Sequence, residues 1–264
     1  MPPQKTRLTM TATHVTQTDH LVTVNADMGE GIAIHLFGND DALLDVVDTI
    51  NLACGMHAGG PSEMSCTVER ALSAGVTIGA HPGLSDLAGF SRRYMALDPE
   101  EVREIVLCHV GALTGFLRAN DAPLHHIKPH GAPYEMVTQS EPHREANCDV
   151  PQIDGVPVLG LPGTRQESVA ERCGIKFVAE FHADLDYNDD GSVIITRRAS
   201  LRNLDEVERR IHRAPMRGAA QTVAGTLLPL RVESLCVHSD IPNAPAVAGR
   251  IRSVLDSHFA TIEH

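Results

Sequence analysis

Seven short runs rich in β-branched and aliphatic residues recur along the chain, and most lead through a polar, Gly- or Pro-bearing turn into a helical pattern. They are Leu21–Asn25, Thr49–Ala53, Val76–Ala80, His125–Lys128, Val156–Leu161, Ile175–Glu180 and Ser234–His238. The helical patterns are clearest at Ser62–Ser73, Pro99–Ala119, Thr164–Arg172, Leu204–His212 and Ala244–Phe259. Parallel strands need long crossovers and helices supply them, so this alternation specifies an α/β fold with a parallel sheet and right-handed connections. Seven repeats predict a closed or nearly closed seven-stranded (β/α) barrel, with an open doubly wound sheet as the alternative. Asp98-Pro99-Glu100-Glu101 is a strong helix start, with a capping Asp, Pro in the first turn and acids at the positive end of the dipole. Ala74-Gly75 closes the preceding helix.

Two excursions interrupt the rhythm. Asn188-Asp189-Asp190-Gly191 reads as a turn and Ser192–Arg197 after it as an extra strand, while residues 214–232 read as an irregular insert. Ser140–Gln152 is polar and reads as a loop or loose helix. No linker or repeat divides the chain, so residues 21–264 are read as one domain after a disordered leader, 1–20, that lacks the apolar core of a secretory signal.

Composition excludes several functions. The net charge is −12 and the chain holds three lysines, Lys5, Lys128 and Lys176, which argues against a nucleic-acid partner. No run approaches the roughly 20 apolar residues of a membrane helix, and with no targeting segment the expected location is the cytoplasm. Six cysteines without a CxxC pair read as buried, reduced thiols. Aromatic residues make up 3% and Trp is absent, too few for a stacking platform. Neither a GxGxxG after the first strand nor a P-loop is present.

What remains is the placement of ionisable groups. In parallel α/β folds ligands sit at the carboxyl ends of the strands. There this chain carries Asn25, Asp27 and Glu30; His57; His81, Asp86, Arg92 and Arg93; Lys128 and His130; Glu180, His182, Asp184 and Asp186; and His238 and Asp240. Only the fifth end, Gly160–Thr164, lacks such a group at once. A lone histidine at a strand end is more often structural than catalytic. Charged and imidazole groups at six of seven ends, mostly flanked by Gly or Pro, instead point to one pocket. Asp27, Glu30, His57, His81, Lys128 and His130 are the candidate catalytic groups. Asn25, Asn51, Arg92, Arg93, Glu180, Asp184, His238 and Asp240 are the candidate substrate-binding groups. Two close carboxylates drive one pKa upward, which suits Asp27 and Glu30 to acid–base work. The histidines can move protons near neutrality. Lys128, read as a cation at the pocket mouth, could hold a carboxylate or an oxyanion. Arg92 and Arg93 could clamp an anion, or one of them could be tied to Asp86. A divalent metal is a further option, with Asp27, His57, His81 and His130 as candidate ligands converging only through the fold.

Taken in order, NADMGEG (25–31), INLACGMHAGGP (50–61), GAHPGLSDLAGFSRR (79–93), GAL (111–113), HIKPHGAPY (126–134), AEFHADLDYNDDG (179–191) and CVHSDIPNA (236–244) resemble the LamB/YcsF family, which includes the A subunit of bacterial 5-oxoprolinase. The resemblance implies an irregular (β/α) barrel related to the glycoside hydrolase and polysaccharide deacetylase barrels. It implies opening of 5-oxoproline or a related lactam to the amino acid, with ATP hydrolysed in a complex with B and C subunits; a stand-alone metal-dependent hydrolase is the alternative, and a homo-oligomer is left open. On that view Asp27 or Glu30 activates water, His57 or His81 polarises the carbonyl or protonates nitrogen, and Lys128 and His130 bind the carboxylate or oxyanion, so that loss of Lys128 or His130 should abolish activity without unfolding. The chain departs from the family pattern at Gly60 (usually an acid), Ser91 (Gly), the Cys108-His109 region (Gln), Pro133 (Leu), Leu185 (Arg) and Ser239 (Gly). His109 is expected on the exterior of its helix or as an added pocket ligand.

Overall fold

The structure, a computed structural model, describes residues 22–32, 35, 38–131, 141–196 and 199–262. The leader, Leu21, Pro133 and Arg197 lie outside them. The elements run β1 (Thr23–Met28), α1 (Asp40–Leu44), β2 (Thr49–Ala53), α2 (Pro61–Ser73), β3 (Thr77–His81), α3 (Pro99–Ala119), α4 (Glu141–Asp154), β4 (Val158–Gly160), α5 (Arg165–Arg172), β5 (Phe177–His182), β6 (Asp186–Tyr187), β7 (Val193–Ile194), α6 (Leu204–Arg217), β8 (Ala219–Gln221), β9 (Leu227–Pro229), β10 (Ser234–His238) and α7 (Ala244–Ile262). Six strands form one parallel sheet in the order β3-β2-β1-β10-β5-β4.

The seventh strand expected at His125–Lys128 is not a strand. It contributes a single bridging residue, Ile127, paired with Ala80 on β3 and with Val158 on β4. Pro123 and Pro129 bracket the segment, and neither has an N–H to extend a ladder. Because Ile127 touches both edge strands, the six-stranded sheet is curled and has a concave side.

Strand side chains alternate between faces, and here the two faces carry different chemistry. Val24, Ala26, Met28, Ile50, Leu52 and Ile78 point outward into a core shared with Val68, Leu113, Leu117, Val247 and Ile251 of the covering helices. Asn25, Asp27, Asn51, Glu180, His182 and Cys236 occupy the concave side, linked by contacts described below. Register aligns them: Asp27 faces Asn51 on one neighbour and His238 on the other, and Cys236 faces Asn25 and His182.

Local signals place the crossovers. Pro99 opens α3, and Glu101 Oε2 accepts from the backbone N–H of Asp98 at 2.7 Å, a cap of the kind that contributes about 1 kcal/mol. Asn203 caps α6 by accepting from the N–H groups of Asp205 and Glu206. That helix runs past Pro215 to Arg217, so the expected insert 214–232 resolves into the helix end and the β8–β9 hairpin. The polar segment after residue 140 is helical as α4, and the extra strand shrinks to β7, paired antiparallel with β6. Among the cysteines, Cys54, Cys148 and Cys236 are buried, but Cys66 and Cys108 are exposed, and all six are free thiols. No helix of the described residues is long and apolar enough to cross a membrane.

Candidate active site

The carboxyl ends of the strands open into a cleft of about 350 Å³. Asp27, Glu30, His81, Lys128, His130, His182 and His238 form its floor, with Arg92 and Asp240 toward its mouth. The walls come from Leu161–Thr164 after β4 and from Leu185, Val193 and Ile195 around the β6–β7 hairpin.

One half of the floor is a network of matched charges. Lys128 Nζ lies 3.0 Å from Asp27 Oδ1, 3.0 Å from Glu180 Oε1 and 3.1 Å from Cys236 Sγ. Asn51 Nδ2 donates to the same Asp27 oxygen at 2.7 Å and also to Asn25 Oδ1, while His126 Nε2 donates to Asn51 Oδ1 at 2.6 Å. The other oxygen of Asp27 is 3.4 Å from His81 Nε2 and 3.7 Å from His238 Nε2. Burial alone would raise the Asp27 pKa, but His81 and Lys128 outweigh it and hold the carboxyl well below the usual range. His238 takes its orientation from Asp184, which accepts from the His238 backbone N–H at 2.7 Å and from Nδ1 at 3.1 Å. Burial opposes the imidazolium, yet the Asp184 and Asp27 carboxylates push its pKa up to about 9. His182 stacks on His238 at 5.3 Å and stays neutral through burial and the nearby Lys128 and His238 cations.

The other half is poor in partners. Glu30 is buried, and its Oε1 has no hydrogen-bond partner among the described residues. Burial, then the charges of Asp27 and Asp240, raise its pKa well above normal. His57 is 0% exposed and neither ring nitrogen has a hydrogen bond among the described residues. It stacks on His130 with centroids 4.2 Å apart. Burial, then His81 and His109, press its pKa well down, and burial, His57 and His81 do the same for His130.

Between the halves, His81 and His130 face one another, with His81 Nε2 and His130 Nδ1 2.9 Å apart. His81 Nδ1 lies 2.7 Å from the carbonyl of Lys128, and His130 Nε2 lies 3.0 Å from the carbonyl of Phe90. Carbonyls only accept, so both outer nitrogens donate.

Several sequence expectations change. Lys128 is 3% exposed and lies in the floor, not at the mouth. His57 lies behind His130 and does not line the cleft. Asn25, Asn51, Glu180 and Asp184 lie beneath the floor as supports. Arg93 forks onto Asp86, with Nε 2.8 Å from Oδ2, and points away from the cleft; Arg92 lies over the Phe90 ring at 5.0 Å, with Asp240 4.0 Å away. The expected metal donors Asp27, His57, His81 and His130 do not gather as one set: Asp27 is engaged by Lys128 and Asn51, and the donors that converge are Glu30, His57 and His130 in one group and His182, Cys236 and His238 in another. His109 is buried on the inner side of α3, neither exterior nor in the cleft. His182, read only as one of the strand-end groups, lies in the floor, and the sequence pattern did not mark the wall at Leu161–Thr164, Cys236 beside Lys128, or His126, which is held against Gly79 where a Cβ would clash with its ring. Lys128 is committed to two carboxylates, and Arg92 is the other Lys or Arg among the cleft's lining residues.

The model of the LamB/YcsF family matches residues 22–264. The chain belongs to this family. It is 40% identical over 238 residues to a protein of Bacillus licheniformis named as the A subunit of 5-oxoprolinase, covering 89% of this chain and 94% of that one. It is 38% identical to a lactam utilization protein, lamB, of Emericella nidulans, covering 88% and 93%. The crystal structure of a lactam utilization protein from Thermus thermophilus superposes with a TM-score of 0.81 at 38% identity, covering 90% of this chain and 97% of that chain. One departure from the LamB/YcsF pattern now has a physical account. Ser91 adopts φ +50°, the left-handed region that favours the glycine expected there from the resemblance. Its Oγ accepts from the Leu84 N–H at 2.7 Å, which offsets part of that strain. Of the other departures expected from the resemblance, Leu185 lines the cleft, and Gly60 has open space around the position of a Cβ.

Proposed function

We propose that this chain opens the ring of 5-oxoproline or a related small lactam, and that ATP is handled by B and C partner subunits rather than in this cleft. The observation that carries the reading is the pairing of an ionised Asp27 with an Asp184-backed His238 across one small cleft, in a chain that aligns over most of its length with proteins named as the A subunit of 5-oxoprolinase. A lactam is a stabilised amide, so opening it needs an oriented water, a stabilised oxyanion and a proton for the departing nitrogen. Asp27 Oδ2 is the oxygen turned toward His81 and His238, and it orients the water and takes its proton. His238, charged at neutral pH, gives a proton to the nitrogen. His81 faces the developing oxyanion, and Arg92 receives the substrate carboxylate at the mouth. Lys128 holds Asp27 in place. His57, fully enclosed, acts only through His130.

The test is a glutamate-release assay with 5-oxoproline, using this chain alone and then with B and C subunits plus ATP. Activity is expected only in the complete mixture. D27N should lower it by about 10³-fold, within the range for acid–base groups, with an unchanged circular dichroism spectrum. Turnover by the chain alone without ATP would contradict the division of labour, and full activity in D27N would contradict the assigned base.

A further inference from the structure

We infer that Glu30, His57 and His130 form a binding site for one first-row divalent cation of the zinc type. Three observations converge. The donor atoms of the three side chains all lie within 4.8 Å of one another. Glu30 Oε1 and His130 Nδ1 are 3.6 Å apart, close to the roughly 3.4 Å edge of a tetrahedron with bonds near 2.05 Å. And the site is unmatched among the described residues: His57 is fully buried with neither ring nitrogen hydrogen-bonded, and Glu30 Oε1 nearby has no hydrogen-bond partner. Buried polar groups without partners are unfavourable and rare, and a cation is the partner that an imidazole pair and a carboxylate share.

The surroundings fit the ligand role. His130 Nε2 donates to the Phe90 carbonyl, the outer-shell contact that fixes a ligating imidazole and leaves Nδ1 to face the ion. Phe90 itself adopts φ +52°, so the loop spends backbone strain to bring that carbonyl in. Gly83 leaves room for the His57 ring, since a Cβ there would come within 2.7 Å of it. His81 Nε2, which faces His130 Nδ1, also has Asp27 Oδ2 as a neighbour at 3.4 Å, so turning His130 Nδ1 to an ion does not leave His81 isolated. Glu30 and His130 line the cleft, so a fourth position opens toward substrate or water. A second cluster, His182, Cys236 and His238, has the spacing but not the freedom. Lys128 Nζ sits 3.1 Å from the Cys236 sulfur, and Asp184 occupies His238 Nδ1. An ion there would meet a fixed ammonium.

A bound divalent ion would acidify a water and polarise a carbonyl, which would complement the weak base Asp27. Occupancy, however, is measured without substrate or partners, so it stands or falls separately from the ring-opening reading. The experiment is calorimetric titration of the metal-stripped full chain with Zn²⁺, followed by Co²⁺ absorption spectroscopy. One equivalent of Zn²⁺ is expected, with visible Co²⁺ bands of a four- or five-coordinate ion. E30Q and H57A should weaken Zn²⁺ by more than the ~10–100-fold typical of losing an outer-shell partner, while H182A keeps wild-type affinity. H57N, closer in shape, gives the same reading should H57A lose its melting transition. Binding of no ion, binding indifferent to both E30Q and H57N, or binding abolished by H182A alone would overturn the site.

Discussion

Asp27 and Glu30 stand three residues apart at the end of one strand, both enclosed, and their carboxyl groups shift in opposite directions. Asp27 is surrounded by Lys128, His81, His238 and Asn51 and is held ionised. Glu30 meets a histidine that burial keeps neutral and the negative charge of Asp27 itself, and is held protonated. Depth of burial is the same kind of penalty for both, so the partners decide. The contrast extends to whole regions of the floor. In the half around Lys128 the ammonium lies 3.0 Å from both Asp27 and Glu180, and Asp184 backs His238, so this region can hold catalytic groups in fixed states. In the half around His57, Glu30 Oε1 and both His57 ring nitrogens find no hydrogen-bond partner among the described residues.

The comparison can be broken most easily by removing one member from each half. K128A leaves Asp27 and Glu180 buried and uncompensated, which should destabilise the fold by about 3–5 kcal/mol, read as a large drop in melting temperature. This reverses the expectation, drawn from a lysine at the mouth, that the variant would keep its fold. E30Q replaces a group already neutral and should change stability by less than about 1 kcal/mol in metal-free protein. Equal losses in the two variants would erase the distinction.

A pH series sharpens it. The folded-state pKa of His238 is raised to about 9 from an ordinary value of 6.5. Its stabilisation is therefore complete below about 6.5 and lost as pH rises through about 9, amounting to at most ~3 kcal/mol. Chemical denaturation at intervals across this window should show the decline, and D184N should flatten it. A wild-type curve already flat over that window would deny the Asp184–His238 coupling.

The smallest effects should come from residues outside the cleft lining. R93A removes a largely exposed partner of Asp86 and should leave turnover within about two-fold. S91G trades relief of a positive φ against the lost Leu84 hydrogen bond, and unfolding measurements should find it within about 1 kcal/mol of wild type. A collapse of activity in R93A would return that guanidinium to the substrate.

Much of this arrangement was legible along the chain. The strand-end rule brings Asp27, Glu30, His81, Lys128, His130, His238 and Asp240 to one cleft because their runs are short and separated by clear turns and helices. What spacing along single strands does not carry is curvature. Sheet curl decides that Lys128 lies in the floor with Glu180, that His57 hides behind His130, and that Arg92 rather than Arg93 reaches inward. Curl also turns Cys236 toward Lys128, although Leu235-Cys236-Val237 reads as plain core. The fourth run failed as a strand because prolines on both sides limit it to one bridging residue, a limit that the intervening aliphatic pattern masks. The fifth strand end, which carries no ionisable group, supplies the apolar wall at Leu161–Thr164, and nothing in its residue types marks it as one.

The most direct measurement is the protonation of the individual imidazoles in metal-free protein, followed by nitrogen chemical shifts in NMR from pH 6 to 10. The account predicts that His238 stays charged until about pH 9, while His57 and His130 remain neutral throughout. A His238 midpoint near 6.5, or a His57 that carries charge at neutral pH, would contradict it.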